Sequence, residues 1–194
     1  MGDYLPFIDI GSNLKLRSIT PSNTRTCILL TTLQVKCWGA AWNSQLGYED
    51  GFNRGDGSNE LGDNLPFINL GTGVLATILE TGEYHNLIIT PSGQVKAWGY
   101  GNQGQLGEGD SNSYGSSENE MGNYRPFVSL GTGLTAVDIC GGDEFSCAQF
   151  DNFEMKCWGS SWAGKSSFTF KSFYIGYVKL SRSKWLWRYS SKRK

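Results

Sequence analysis

Apolar and polar residues alternate with a short period along most of the chain, interrupted every few residues by glycine, proline or asparagine. The clearest runs are 65–70 (LPFINL), 74–79 (VLATIL), 86–90 (NLIIT) and 94–98 (QVKAW), each with the length and composition of a strand. Gly71-Thr72-Gly73 and Pro91-Ser92-Gly93 separate neighbouring runs, since glycine tolerates positive φ and proline presets the first turn position. A glycine-rich loop, GYGNQGQLGEG, follows the last run. No amphipathic helical pattern occurs in the first 164 residues, and no stretch of about 18 apolar residues reads as a membrane-spanning helix.

The pattern repeats every 60 residues. The heptapeptides MGDYLPF, LGDNLPF and MGNYRPF, starting at Met1, Leu61 and Met121, align without gaps. Residues unchanged in all three copies are Gly2, Gly62 and Gly122; Pro6, Pro66 and Pro126; Trp38, Trp98 and Trp158; and Gly39, Gly99 and Gly159. Phe7, Gly11 and Lys36 recur in the same way. Four short strands per unit at this period predict propeller blades rather than a helical array. The expectation is an all-β fold, a partial β-propeller of three four-stranded repeats (about 1–60, 61–120 and 121–164), followed by an irregular basic tail at 165–194. Met1 occupies the repeat position of Leu61 and Met121, so the chain is expected to start inside a longer array. Its N-terminus lacks the basic-then-apolar layout of a secretory signal.

Residues Gly82–Gly109, GEYHNLIITPSGQVKAWGYGNQGQLGEG, closely resemble the repeat of the regulator of chromosome condensation family. The M-G-D-x-L-P lead-in is most similar to the alpha-tubulin-suppressor-related branch. This resemblance covers the first 164 residues and implies a β-propeller, usually a ring of about seven blades. Relatives act as guanine-nucleotide-exchange factors, but the loops that exchange depends on find no residue-by-residue match in this chain. Fold alone does not transmit the activity.

Charge divides the chain. Residues 1–164 hold all 18 acidic and eight basic residues, a net −10, whereas 165–194 hold nine basic residues and none acidic. Clustered Lys and Arg with Trp185, Trp187 and Tyr189 suit a nucleic acid or an acidic lipid as partner of the tail. The abrupt change of composition inside a motif instead predicts a wrong reading frame or a retained intron, and that is the favoured expectation. A truncated array would also expose apolar end faces and self-associate.

Several motifs carry candidate chemistry. Cys27 with Cys37, and Cys147 with Cys157, fall directly opposite each other across predicted hairpins, while the middle copy replaces both together by Leu87 and Ala97. Opposed antiparallel residues lie within disulfide reach. The alternative is a pair of small buried thiols in a reducing compartment. Gly159–Ser166 satisfies the phosphate-loop pattern, but its first six residues are the repeat's own W-G-x-x-x-x-G and no helix is predicted to follow. Arg54-Gly55-Asp56 spells an adhesion tripeptide whose counterpart is Tyr114-Gly115-Ser116. The acidic loops 48–63 and 108–120 carry no known calcium spacing and are expected to be solvated surface. His85, the single histidine, has Arg25 and Phe145 as counterparts and is expected to be structural.

No catalytic, cofactor-binding or metal-ligating set emerges, so the expected function is a non-catalytic protein-interaction module with a protein partner. Two alternatives remain: an exchange or chromatin-associated regulator as part of a complete propeller, and an extracellular disulfide-containing adhesion module.

Overall fold

A computed structural model of the protein describes residues 2–160. The basic tail, its polyanion partners and the phosphate-loop pattern beyond Ser160 lie outside the described residues. Three antiparallel sheets follow one another, one per repeat. The first contains β1 (Leu16–Pro21), β2 (Arg25–Leu30) and β3 (Val35–Gly39). The second contains β4 (Ile78–Thr81), β5 (His85–Ile89) and β6 (Val95–Gly99), and the third β7 (Ala136–Gly141), β8 (Phe145–Phe150) and β9 (Met155–Gly159). Among the described residues the helical turns are three short 3-10 segments at one repeat position, Gly2–Tyr4, Gly62–Asn64 and Gly122–Tyr124.

Local chemistry accounts for the hairpins. Between β5 and β6 the Gly93 N–H donates to the Thr90 carbonyl at 2.9 Å, closing a tight turn. The resulting register pairs Leu87 with Ala97, and in the outer repeats Cys27 with Cys37 and Cys147 with Cys157.

The run expected as the first strand of each repeat behaves differently. Residues 65–70 run beside β3 of the preceding repeat, where the Ile68 N–H donates to the Val35 carbonyl at 2.8 Å, and Val128 does the same to Val95 of β6 at 2.8 Å. Pro66 and Pro126 have no N–H to give, so the ladder stays too sparse to be a regular strand. Each sheet therefore has three strands rather than four, and the first two are edged by the lead-in of the next repeat.

Stacking of the sheets makes the core. Ile88 and Trp98 of the middle sheet pack with Cys27, Leu29 and Cys37 of the first. Leu87, Ile89, Val95 and Ala97 point the other way and pack with Ile139, Ala148 and Phe150 of the third. This is the period-two alternation of a strand buried on both faces, and every residue of β5 and β6 is buried.

Candidate interaction surface

The repeat's unchanged residues sit at the joints between blades. Lys36 is buried, and its Nζ donates to the Ile10 carbonyl (3.0 Å) and the Gly62 carbonyl (2.8 Å). Lys96 does the same to Leu70 (2.6 Å) and Gly122 (2.7 Å). Each ammonium thus ties the lead-in of its own repeat to that of the next. Burial lowers the pKa of both lysines, and the rings of Phe67 and Phe127 lie 5.0 and 5.2 Å from the two nitrogens.

Trp98 and Trp158 pack against Gly47 and Gly107 of the preceding repeat, where a Cβ would come within 2.7 and 2.6 Å of the indole nitrogen. Gly99 follows at φ +110 because a Cβ would strike the Tyr84 carbonyl at 2.5 Å.

A polar ladder crosses both joints. The Arg25 guanidinium donates to Asn86 Oδ1 and to the carbonyls of Glu83 and His85, and burial pushes its pKa down to about 10. One repeat later His85 Nε2 meets Ser146 Oγ at 2.8 Å. Burial, with Arg25 nearby, pushes His85 down to about 3, so the ring is neutral. Position 25 of one repeat therefore addresses position 26 of the next, first as Arg25 to Asn86 and then as His85 to Ser146. The sequence shows neither pairing, because the partners differ in type and stand 61 residues apart.

The loops after β3 and β6 form the surface best suited to recognition. Glu60 Oε2 accepts from the N–H groups of Gly55, Asp56 and Gly57 at 2.8, 3.1 and 2.8 Å. Glu120 clamps Gly115, Ser116 and Ser117 identically at 2.8, 2.9 and 2.9 Å. These two carboxylates stay partly exposed on the loop surface while bracing it from within, and their shared repeat position was the available signal. The acidic-loop residue that departs from the expected solvated surface is Glu108, whose side chain is buried. The loops also interlock, through Glu49 Oε1 to the Met121 N–H (2.8 Å) and Ser44 Oγ to Ser116 Oγ (2.9 Å). In the second loop Arg125 pairs with Glu108 at 2.6 Å and stacks 3.5 Å from the Tyr114 ring centroid. Burial outweighs Arg125 and lifts Glu108 to about 7.

On the first loop Trp42 and Phe52 are 73% and 69% exposed and border an open depression with Arg54, Asp56 and Glu60. Their counterparts in the second copy are Asn102 and Asn112, while the sequence of the third copy carries a tryptophan, Trp162, at the position of Trp42. Arg54 is paired with Asp50, donates to the Phe52 and Asn53 carbonyls and lies 5.3 Å from the Tyr48 ring. With Gly55 and Asp56 clamped by Glu60, the Arg-Gly-Asp tripeptide is a braced part of the loop. Gly159 and Ser160 repeat the backbone geometry of the earlier Trp-Gly turns, with Ser160 N–H on the Glu144 carbonyl as Tyr100 is on Tyr84. Among the described residues no cluster of three or more His, Cys, Asp or Glu side chains is arranged to hold a metal ion.

The sulfurs of Cys27 and Cys37 stand 2.12 Å apart, and those of Cys147 and Cys157 2.02 Å apart, both at disulfide distance. Cys140 is a free thiol opposite Cys147.

Residues 78–105 match the Regulator of chromosome condensation (RCC1) repeat. Over 149 residues the chain is 29% identical to the RCC1 domain-containing protein RUG3, mitochondrial, of Arabidopsis thaliana, covering 76% of this chain and 31% of that protein. In fold it is similar to yeast RCC1 (Prp20) in its complex with Kap60, at 17% identity and TM-score 0.59, covering 78% of this chain and 31% of that one. Human WBSCR16 is similar at 19% and 0.57, covering 76% and 34%. The chain spans about a third of the length of these relatives.

Proposed function

We propose that this chain, an array of RCC1-type propeller repeats, is a non-catalytic protein-interaction module whose contact surface centres on Trp42 and Phe52. The observation that carries the reading is the exposure of two large aromatics on a loop held rigid by the Glu60 clamp. Recognition hot spots favour such preorganised aromatic anchors, with charged groups at the rim. Asp50, Asp56 and Glu60 supply that rim here. The test is quantitative co-purification from cells with the wild-type chain and the Trp42→Ala/Phe52→Ala variant, followed by titration of the purified partner. A tenfold or greater loss of affinity with unchanged circular dichroism supports the reading. Partners retained equally by both proteins would refute it.

A second reading is a chromatin-associated or exchange regulator, with this segment as part of a complete propeller. Its support is the net −10 of residues 1–164, complementary to basic proteins, together with Prp20p of Saccharomyces cerevisiae, whose structure is described with binding to Gsp1p and histones. Salt-dependent binding of histones, or accelerated nucleotide release from a small GTPase, would favour it. The cysteine geometry supports a third reading, an extracellular adhesion module. Thiol titration of the protein purified from its source under alkylating conditions distinguishes it, since four unreacted cysteines require an oxidising compartment.

A further inference from the structure

Three cysteines stand in a row across the third sheet. The strand order is β7-β8-β9, and the register sets Cys140 opposite Cys147 and Cys147 opposite Cys157. Directly opposed residues of antiparallel strands point to one face of the sheet, so the three side chains share a face with Cys147 in the middle. Cys147 and Cys157 are at disulfide distance, and Cys140 is the free thiol. The Cys140 thiol also contacts the Cys147 backbone. Opposed residues lie about 4.5–5.5 Å apart between Cα atoms, within the separation a disulfide spans. Cys147 therefore has a bonding partner within reach on either side.

The first repeat shows what this arrangement adds. Its pair, Cys27 and Cys37, has the same register, but Thr20 holds the position of Cys140 and its hydroxyl donates to the Cys27 carbonyl at 3.3 Å. The middle repeat has Glu80, Leu87 and Ala97 at the three positions. Among the described residues, the third repeat alone combines a bridge with a neighbouring thiol.

We infer that the third repeat holds an internal thiol–disulfide switch, in which Cys140 exchanges into the bridge and releases Cys157. The Cys140 thiolate attacks Cys147 Sγ from the side opposite Cys157. The Cys140–Cys147 bond forms as the Cys147–Cys157 bond breaks, and Cys157 leaves as a thiolate and takes up the proton that Cys140 gave. One disulfide and one thiol remain, so no oxidant or reductant is consumed. The covalent tie moves from β8–β9 to β7–β8, and the free thiol moves to the residue before Trp158. Trp158 Nε1 donates to the Gln105 carbonyl at 2.9 Å, so the strand that loses its tie is the one that anchors the joint to the second repeat. Burial, with Asp138 of the same strand and Glu80 of β4, raises the Cys140 pKa. His85 on β5 is neutral, and β8 carries no other ionisable side chain. The thiolate is therefore scarce and the exchange slow at neutral pH.

The switch is independent of the Trp42 surface and is tested separately, by thiol mapping of the full chain. The chain, with its five cysteines, is oxidised with glutathione disulfide, and the fraction with two bridges and one thiol is isolated. It is held overnight at pH about 8 to supply thiolate, then labelled with a maleimide and mapped by mass spectrometry. The label should divide between Cys140 and Cys157, one per chain in total. Cys140→Thr, the residue of the first repeat, should lower the label at Cys157 at least tenfold. Cys157→Ser, oxidised in the same way, should close Cys140–Cys147, whereas Cys37→Ser should leave Cys27 without an internal partner. If Cys157→Ser fails to fold, wild type and Cys140→Thr decide the question. Label confined to Cys140 in wild type would overturn the inference, as would a folded Cys157→Ser chain that forms no Cys140–Cys147 bridge. Label spread equally to Cys27 and Cys37 would also overturn it, because general scrambling needs no switch. A chain that yields no fraction with two bridges and one thiol would do the same.

Discussion

Replacing Lys96 by methionine tests the claim that buried lysines hold the blades together. The ammonium satisfies two buried carbonyls, Leu70 at 2.6 Å and Gly122 at 2.7 Å. Methionine fills similar volume but donates nothing. Each orphaned carbonyl costs about 1–3 kcal/mol, and relief of the cation's own desolvation returns about 1 kcal/mol. The net expectation is a loss of about 1–5 kcal/mol, large beside the 5–15 kcal/mol of a typical domain. Lys156 is an internal control, because among the described residues its Nζ donates to the Leu130 carbonyl alone and is only half buried. Lys156→Met should cost about 0.5–1.5 kcal/mol in dilute monomer. Urea unfolding followed by tryptophan fluorescence gives both values, provided the m-values match wild type, since arrays can lose cooperativity repeat by repeat. A Lys96→Met change below 0.5 kcal/mol, or a Lys156→Met change as large as that of Lys96→Met, would refute the reasoning.

Four further outcomes are expected. His85, held neutral at a pKa of about 3, binds its proton more weakly than the unfolded chain, so its contribution is complete above pH 6.5 and lost on acidification. The slope is up to about 1.4 kcal/mol per pH unit, and His85→Gln should flatten it in urea titrations between pH 4.5 and 7. Glu108 acts in the opposite sense: its pKa, raised to about 7, makes the folded state bind the proton more tightly, so stability falls as pH rises from about 4.5 through 7. Glu108→Asp should shift the midpoint of that fall, read from the pH dependence of Tm. Gly107→Ala should cost more than about 2 kcal/mol because its Cβ would meet Trp158 at 2.6 Å, whereas Gly133→Ala, at a similar φ in open space, should cost only about 1 kcal/mol of strain. Reducing Cys27–Cys37, which closes a separation of 10 residues, should lower stability by about 2–3 kcal/mol in the oxidised protein, measured in a Cys147→Ala/Cys157→Ala background.

Much of the fold is legible in the sequence because its causes are local. Two strands, a turn and their register follow from alternation and from the glycine at the end of Pro91-Ser92-Gly93, and that register sets Cys27 opposite Cys37. Internal repetition supplied the rest, since a residue unchanged at three equivalent positions must serve the unit and not one site. The expected solvation of the acidic loops failed at Glu108, which is buried against Arg125. Which carboxylate of a loop is buried, and which folds back on backbone N–H groups as Glu60 and Glu120 do, depends on the path of the loop, which composition does not encode.

What the sequence determined by itself was the blade: its length, its hairpins, its apolar faces and the invariance of glycine, proline, lysine and tryptophan. Only the tertiary structure decided what those invariants are for. Pro66 and Phe67 lie in a run that reads as a first strand of their own repeat, yet it edges the sheet of the repeat before it. The sequence shows only that Lys96 recurs with Lys36 and Lys156; packing buries it on carbonyls 26 residues away in each direction. Arg25 and His85 are counterparts by position but differ in type, and only stacking shows that each addresses the next repeat's position 26. Alternation specifies which side of a strand is apolar, because that depends on neighbours two residues apart. Which sheet covers that side depends on contacts about 60 residues apart, and these exist only once the blades have packed.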